Sequence, residues 1–152
     1  MSNITIRPAK KKVDLAHIAA FNCAMAQETE DKPLDYALVT EGVEGLFARP
    51  QYGSYVMAEM EGATVGCLMI TYEWSDWRNG VIWWIQSVYI VPKARRKGVF
   101  RAMYAHVEEE ARTMGDVCGL RLYVAHENRH AQATYEALGM TQTPYQIYES
   151  IF

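Results

Sequence analysis

The stretch SVYIVPKARRKGVFRAMY, residues 87–104, decides the predicted fold of this chain. An apolar strand ends at Pro92, a basic turn runs from Lys93 to Lys97, and Gly98 begins a helix. The first N–H groups of a helix have no partner within it and carry partial positive charge, so a bound phosphate would satisfy both conditions. Taken alone, this stretch predicts either an anion site or an ordinary solvated turn.

A second strand-to-helix unit follows in LRLYVAHENRHAQATYEALGM, residues 120–140. Alternating apolar residues from Leu120 to Val124 predict a strand, and Asn128 can cap the next helix. On that helix Asn128 and Tyr135 lie about two turns apart and share one face. Two such units side by side could hold an extended cofactor between their strand ends, which favours the anion site.

The whole pattern predicts an α/β (α+β) fold in a single domain, residues 1–152, with a mixed central sheet of six to seven strands and about four helices. Helical spacing follows Lys10–Lys12 and again follows Pro33. Asn79-Gly80 predicts a two-residue hairpin before the central strand. Strands are expected at residues 4–6, 55–60, 64–72, 81–91, 120–124 and 145–151.

Composition argues against several functional classes. A formal net charge of -3 argues against a general nucleic-acid binder, which needs an excess of Lys and Arg. No run approaches the roughly 20 apolar residues that cross a bilayer, and the start lacks an apolar signal core. Three cysteines without paired spacing predict a reducing compartment and no metal site. We therefore expect a cytoplasmic protein without a membrane or nucleic-acid partner.

Both units together resemble the GNAT superfamily of acetyl-coenzyme A-dependent N-acetyltransferases, over residues 81–140. The glycine-rich signature of that family is Arg or Gln, two residues, Gly, one residue, then Gly or Ala. In this chain the signature reads Arg95-Arg96-Lys97-Gly98-Val99-Phe100, where Phe100 replaces a small residue. The resemblance continues through Leu122-Tyr123-Val124, Asn128, Ala131, Tyr135 and Leu138-Gly139-Met140.

The resemblance implies that an acetyl group passes from acetyl-CoA directly to a primary amine, without a metal. Main-chain groups of Val88, Tyr89 and Ile90 would face the pantetheine arm and the acetyl carbonyl. Asn128 and Tyr135 would flank the thioester, with Tyr135 as a general acid, although a core tyrosine packed on its neighbours is the alternative. The pyrophosphate would be covered by Arg95, Arg96, Lys97, Gly98, Val99, Phe100 and Arg101.

Two pairs of residues are candidates for contact with the acceptor. Glu28 and Glu30 could anchor the amine or relay its proton, although acidic pairs at helix ends are commonly solvated. Trp74 and Trp77 could form an aromatic wall for a cation, or simply pack in the hairpin. The run at residues 72–80 is similar to the polyamine and thialysine acetyltransferase branch. That branch has acidic residues at the positions of Gln86 and Ser87. Gln86, also a candidate substrate contact, cannot act as a base.

Three functions remain open on the sequence. A small-molecule amine is the favoured acceptor, and a protein N-terminus or lysine is a variant of the same chemistry. A non-catalytic acyl-CoA-binding or sensing module is the alternative, suggested by Phe100 and Gln86. The apolar segment 145–152 could pair across a homodimer or be covered internally.

Overall fold

The computed structural model describes residues 3–152, which form two compact units, one ending at Leu122 and one spanning Tyr123–Phe152. The first unit contains five strands and three helices in the described residues. In chain order they are β1 (Ile4–Pro8), α1 (Lys11–Glu30), α2 (Tyr36–Phe47), β2 (Gly53–Met60), β3 (Ala63–Ser75), β4 (Gly80–Ile90), α3 (Val99–Thr113) and β5 (Val117–Arg121). The second unit contains α4 (Arg129–Ala137). That residues 1–152 fold as one domain stays a prediction.

The five strands form one sheet in the order β1-β2-β3-β4-β5. The first three pairings are antiparallel, and β4 pairs with β5 in parallel. Parallel neighbours need a long crossover connection, and α3 supplies it. The predicted α/β class is therefore confirmed, while the prediction of six to seven strands was wrong.

The sheet buries apolar side chains on both faces. One face packs against α1 and α2, with Tyr55, Met57 and Cys67 in a cluster that also contains Phe21 and Val43. Residues that alternate with these along β2 and β3, among them Val56, Ala58, Leu68 and Ile70, are buried on the opposite face. Helix α3 contacts the sheet and buries Val99, Met103, Tyr104, Val107 and Ala111.

An ion-pair network joins the beginning of α1 to the first two strands. Asp14 is fully buried in the first turn of α1, and it accepts two hydrogen bonds from the Arg7 guanidinium at 2.7 and 2.9 Å. Its carboxylate also accepts the Lys10 N–H at 2.7 Å, while Arg7 Nε donates to Glu59 at 2.7 Å. These hydrogen bonds, above all those from Arg7, hold the pKa of Asp14 below its usual value.

The hairpin between β3 and β4 differs from the prediction. Ser75 pairs with Gly80, so the connection consists of residues 76–79 rather than of Asn79-Gly80 alone. Asn79 does adopt a left-handed conformation, with φ of 48°, but Gly80 already belongs to β4. The Asn-Gly pattern identified a residue that tolerates positive φ, whereas strand register decided the loop length.

In the unit Tyr123–Phe152, helix α4 begins as predicted, but the segment after the helix differs from the prediction. Asn128 caps α4 by accepting the Ala131 N–H at 3.2 Å, and Gly139, with φ of 96°, follows the end of the helix. The predicted strand at residues 145–151 was wrong, because residues 141–152 have no regular secondary structure. A strand needs a neighbour for its main-chain hydrogen bonds, and an apolar pattern does not supply one. This segment exposes Tyr145, Ile147, Tyr148, Ile151 and Phe152.

Two further observations concern the predicted partners. Within residues 3–152, no helix combines the length and the apolar character needed to cross a membrane. In the same residues, no three His, Cys, Asp or Glu side chains are grouped so that they could hold a metal ion. All three cysteines, Cys23, Cys67 and Cys118, are free thiols.

Candidate active site

The central feature of the site is the separation of β4 from β5. Their parallel pairing runs from Val81 opposite Val117 to Trp84 opposite Arg121. Strand β4 then continues to Ile90 beside β3 alone, so in the described part of the chain no strand covers its other edge there. An open edge presents unpaired N–H and C=O groups, which an extended ligand can bind as an added strand would.

A β-bulge interrupts β4 within this open section. The register moves from Gln86 opposite Met69 to Tyr89 opposite Cys67, so β4 contains one extra residue. Ser87 lies in the bulge with φ of 50°, a left-handed conformation that is uncommon for a residue other than glycine. Sequence reasoning missed Ser87, and the only signal was a polar Gln86-Ser87 pair within an apolar strand.

The hydrogen-bond pattern shows which main-chain groups face the open edge. The Val91 N–H donates to the Val65 carbonyl of β3 at 2.8 Å. Because N–H and C=O groups alternate between the two sides of a strand, those of Ile90 and Val88 point away from β3. The main chain of Tyr89 instead points toward Cys67, and its ring is buried 5.4 Å from that of Phe21. Of the three residues predicted to contact the coenzyme, only Val88 and Ile90 therefore direct main-chain groups toward the open edge.

The turn after β4 leaves the beginning of α3 open. Pro92–Ala94 form a short 3-10 turn, and Gly98 has φ of 86° and provides no side-chain cap for the helix. A Cβ on Gly98 would meet no atom within 4 Å, so no side chain packs against this glycine from that side. The first N–H groups of α3, beginning at Val99, lack intrahelical acceptors. The helix start can therefore hold an anion.

Three exposed cations surround this helix start. Arg96, Lys97 and Arg101 are exposed and form no ion pair in residues 3–152, and Arg96 has φ of 62°. Phe100, which departs from the family signature, directs its ring along α3, 6.3 Å from the ring of Tyr104. No atom of Phe100 lies within 4 Å of the position that a Cβ on Gly98 would occupy. The phosphates of a ligand would meet both positive charge and main-chain donors here.

Arg95, in the same turn, is engaged elsewhere. Its Nε donates to the Ile90 carbonyl at 2.8 Å, and its two terminal nitrogens contact the Glu28 carboxylate at 2.6 and 3.0 Å. Its guanidinium carbon also lies 5.5 Å from the ring centre of Tyr89. Hydrogen bonding from Arg95 lowers the pKa of Glu28, so this carboxylate is a poor proton acceptor. Glu30, the last residue of α1, is exposed.

A row of polar side chains crosses the sheet on the face of α1 and α2. Gln86 donates to Thr71 Oγ1 at 2.5 Å, and Trp84 Nε1 donates to Glu73 at 2.7 Å. Arg121 on β5 also contacts Glu73, which sequence reasoning missed because the two residues lie on different strands. The Trp84 hydrogen bond, together with Arg121, lowers the pKa of Glu73.

The two tryptophans of the predicted aromatic wall lie away from the polar row that contains Gln86. Trp74 neighbours Glu73 along β3, and its side chain therefore points to the opposite face of the sheet. Trp74 is 60% exposed, and Trp77, in the hairpin loop, is 88% exposed. The structure therefore separates Trp74 from Gln86 rather than bringing them together.

In the second unit, α4 carries the two remaining predicted residues. Asn128 uses its side-chain oxygen to cap the helix, and Tyr135 lies two turns further along and is partly buried. Burial raises the pKa of Tyr135 above the usual value of 10.0, so its hydroxyl keeps its proton at neutral pH. A protonated hydroxyl is the form that a general acid requires.

Comparison with known proteins agrees with this geometry. The model of the acetyltransferase (GNAT) family matches residues 16–140, whereas no curated protein matches the chain significantly. A crystal structure of "a possible acetyltransferase from Clostridium difficile 630" is 42% identical, with a TM-score of 0.89 over 98% of this chain and 97% of that one.

Two more distant structures share the fold. The aminoglycoside N-acetyltransferase AAC(6')-Iy, in complex with CoA, is 16% identical with a TM-score of 0.80, over 99% of this chain and 96% of that one. A "predicted acetyltransferase with acetyl-CoA from Clostridium acetobutylicum" is 17% identical with a TM-score of 0.79, over 97% of this chain and 96% of that one. Because the family model spans residues 16–140, including the whole open edge of β4 and the turn after it, this chain belongs to the acetyltransferase (GNAT) family.

Proposed function

We propose that this protein transfers an acetyl group from acetyl-CoA directly to a primary amine of a small molecule. The observation that carries the proposal is the open edge of β4, which leads from the Ser87 bulge to the uncapped start of α3. An extended pantetheine arm suits a strand edge, and a pyrophosphate suits a helix start with Arg96, Lys97 and Arg101 beside it. Structures of similar fold that contain CoA or acetyl-CoA support this assignment.

Each group in the first unit would have a defined task. Acetyl-CoA, when bound, supplies an acetyl group activated as a thioester. The outward-facing main chain of Val88 and the N–H of Ile90, whose carbonyl already accepts Arg95 Nε, would hydrogen-bond the pantetheine arm and the acetyl carbonyl. An N–H aimed at an oxygen that gains negative charge favours the transition state. The three cations would neutralise the phosphates. Within its own unit, Tyr135 keeps a protonated hydroxyl, which suits the general-acid role that the family resemblance implies.

The acceptor amine must lose a proton, and the candidate carboxylates differ in their ability to take it. Glu28 is held by Arg95, and Glu73 by Trp84 and Arg121, so the pKa values of both carboxylates are lowered. We therefore assign the proton to solvent water, with Glu30 as the remaining carboxylate candidate. Gln86, bonded to Thr71, would orient the acceptor without accepting its proton.

A small-molecule acceptor has support from one neighbour in particular. A structure of AAC(6')-Iy contains the bisubstrate analog CoA-S-monomethyl-acetylneamine, and it shares the fold with a TM-score of 0.78. We extend this acceptor class to the present protein as part of the proposal. The proposal also includes a cytoplasmic location, because three free cysteines are typical of a reducing compartment.

A thiol-release assay tests the proposal. The protein is incubated with acetyl-CoA and a panel of amino sugars, diamines, amino acids and lysine peptides, and free CoA is followed. Release that depends on a small amine is the expected result. Release only with peptides would favour protein acetylation, and coenzyme binding without release for any amine would favour a sensing module. Mass spectrometry of the product distinguishes acetyl transfer from thioester hydrolysis.

A further inference from the structure

We infer that Arg95 and Glu28 form a clasp that positions the coenzyme-binding turn, and that the Arg95 side chain is not a pyrophosphate ligand. The inference rests on the proposed function, because it concerns the site at which CoA would bind. It reverses the role that the signature position of Arg95 predicts. Arg96, Lys97 and Arg101 would then provide the side-chain charge for the phosphates.

The contacts of Arg95 carry the first step. Its fork is bidentate to Glu28, and its Nε donates to the Ile90 carbonyl. Bidentate pairing with a carboxylate is a strong and directional arrangement for a guanidinium. The Tyr89 ring lies against the same guanidinium at 5.5 Å. Nη1, Nη2 and Nε of Arg95, the nitrogens that a phosphate would contact, therefore already have acceptors within the protein.

The contacts of Arg95 join the end of β4 to the last turn of α1 and so can orient the turn between β4 and α3. Ile90 is the last residue of β4, and the bond from Arg95 closes the chain around the turn at Pro92–Ala94. Glu28 lies in the last turn of α1, 67 residues away in sequence. The clasp therefore fixes the direction in which the chain leaves β4 and approaches Gly98. The positions of the free N–H groups of α3 follow from that direction.

Electrostatics favour the same assignment. A pyrophosphate that took the Arg95 guanidinium would leave the Glu28 carboxylate unpaired beside another anion, and like charges repel. With Arg95 kept on Glu28, the pair is neutral and the three exposed cations remain for the ligand. Both side chains of the pair are partly exposed, at 38% and 41%, so the clasp can be removed without creating a buried charge.

Glu28→Gln separates the two roles, because they predict opposite effects on CoA affinity. If Arg95 binds phosphate, removing the competing carboxylate leaves affinity unchanged or strengthens it. If Arg95 acts through the clasp, the Kd of CoA measured by calorimetry rises about threefold to fivefold, the range for losing a partly exposed ion pair. Arg95→Met should weaken binding, and the double variant should bind no more weakly than Arg95→Met alone. Tighter or unchanged binding by Glu28→Gln would overturn the clasp.

A matched control is the exposed pair of Lys11 and Glu44, 3.0 Å apart, which joins the first turn of α1 to α2. Glu44→Gln should leave the Kd of CoA unchanged. In Glu28→Gln the KM for acetyl-CoA should rise by a larger factor than kcat falls, whereas general unfolding would lower kcat and leave the KM of the remaining folded protein unchanged. Wild-type protein that fails to bind CoA would contradict the proposed function itself. Wild-type protein that binds CoA, with Glu28→Gln binding equally well, would contradict the clasp alone.

Discussion

Arg121 on β5 contacts both carboxylate oxygens of Glu73 on β3, at 3.0 and 3.2 Å, across the intervening strand β4. Trp84 of β4 donates to the same carboxylate and is the last residue of its strand that pairs with β5. The three side chains therefore join three strands at the point where β4 and β5 separate. The open edge that makes the candidate site begins immediately after this cluster.

Glu73→Gln should lower the free energy of unfolding by about 1 kcal/mol, as expected for a partly exposed ion pair. The substituted amide can still accept the Trp84 hydrogen bond but loses its charge toward Arg121. Urea unfolding measures the change. Arg112→Gln is the control, because the pair of Arg112 with Glu108 lies on the surface of one helix at 3.4 Å. An equal loss of unfolding free energy in both variants would show that the Glu73–Arg121 pair stabilises the protein no more than an ordinary surface ion pair does.

Asp14→Asn should destabilise the protein by about 3 kcal/mol, because it leaves Arg7 without its buried partner. The pKa of Asp14 is lower in the folded state than its reference of 3.8, so its contribution is fully present above that value. The contribution is lost as the pH falls through the folded pKa. Urea midpoints of the wild type should therefore fall more steeply below about pH 4 than those of the variant. Exposed Asp76→Asn should keep the wild-type profile.

Ser87 should respond to backbone strain rather than to loss of its hydroxyl. At φ of 50°, Ser87→Gly removes the steric penalty and should retain or raise stability. Ser87→Val introduces a β-branched side chain and should cost about 1–2 kcal/mol. The KM for acetyl-CoA should rise with Val and stay near wild type with Gly. A valine variant as stable as the wild type would contradict the bulge geometry.

Arg96→Gln should weaken CoA binding about tenfold, because a charge-assisted contact to a phosphate is lost. The dependence of the affinity on salt concentration should become shallower, since fewer charges are screened. Calorimetry at two salt concentrations measures both effects. Lys93→Gln removes another exposed charge, at the other end of the turn, and is expected to change neither. Equal effects of both substitutions would point to general attraction rather than to a site.

Tyr135→Phe should reduce kcat about 100-fold and leave the KM for acetyl-CoA nearly unchanged, if its hydroxyl protonates the leaving thiolate. Because burial raises the pKa of Tyr135, the wild-type enzyme should keep its acid form to higher pH than an exposed tyrosine would and should lose activity above that pKa. The variant should show no corresponding alkaline limb. A wild-type kcat in Tyr135→Phe would assign the residue to packing.

The sequence predicted the parts of the site that depend on local chemistry. Gly98 was identified as a helix start and adopts positive φ, and Asn128 was identified as a cap and accepts the Ala131 N–H through its side-chain oxygen. The roles of Glu28 and Trp74 could not be read in the same way. The role of Glu28 depends on Arg95, 67 residues away in sequence. The role of Trp74 depends on which face of β3 its side chain occupies. Neither relation leaves a periodic signal.

By itself the sequence determined the order of helices and strands through β5, the α/β class and the open, basic helix start. These follow from side-chain period, capping and permitted φ, which act between near neighbours along the chain. The tertiary structure decided that the sheet has five strands, that β4 parts from β5 after Trp84, and that Arg95 turns to Glu28. Strand register and ion pairs join residues that only folding brings together, so their geometry depends on the packed sheet rather than on any local pattern.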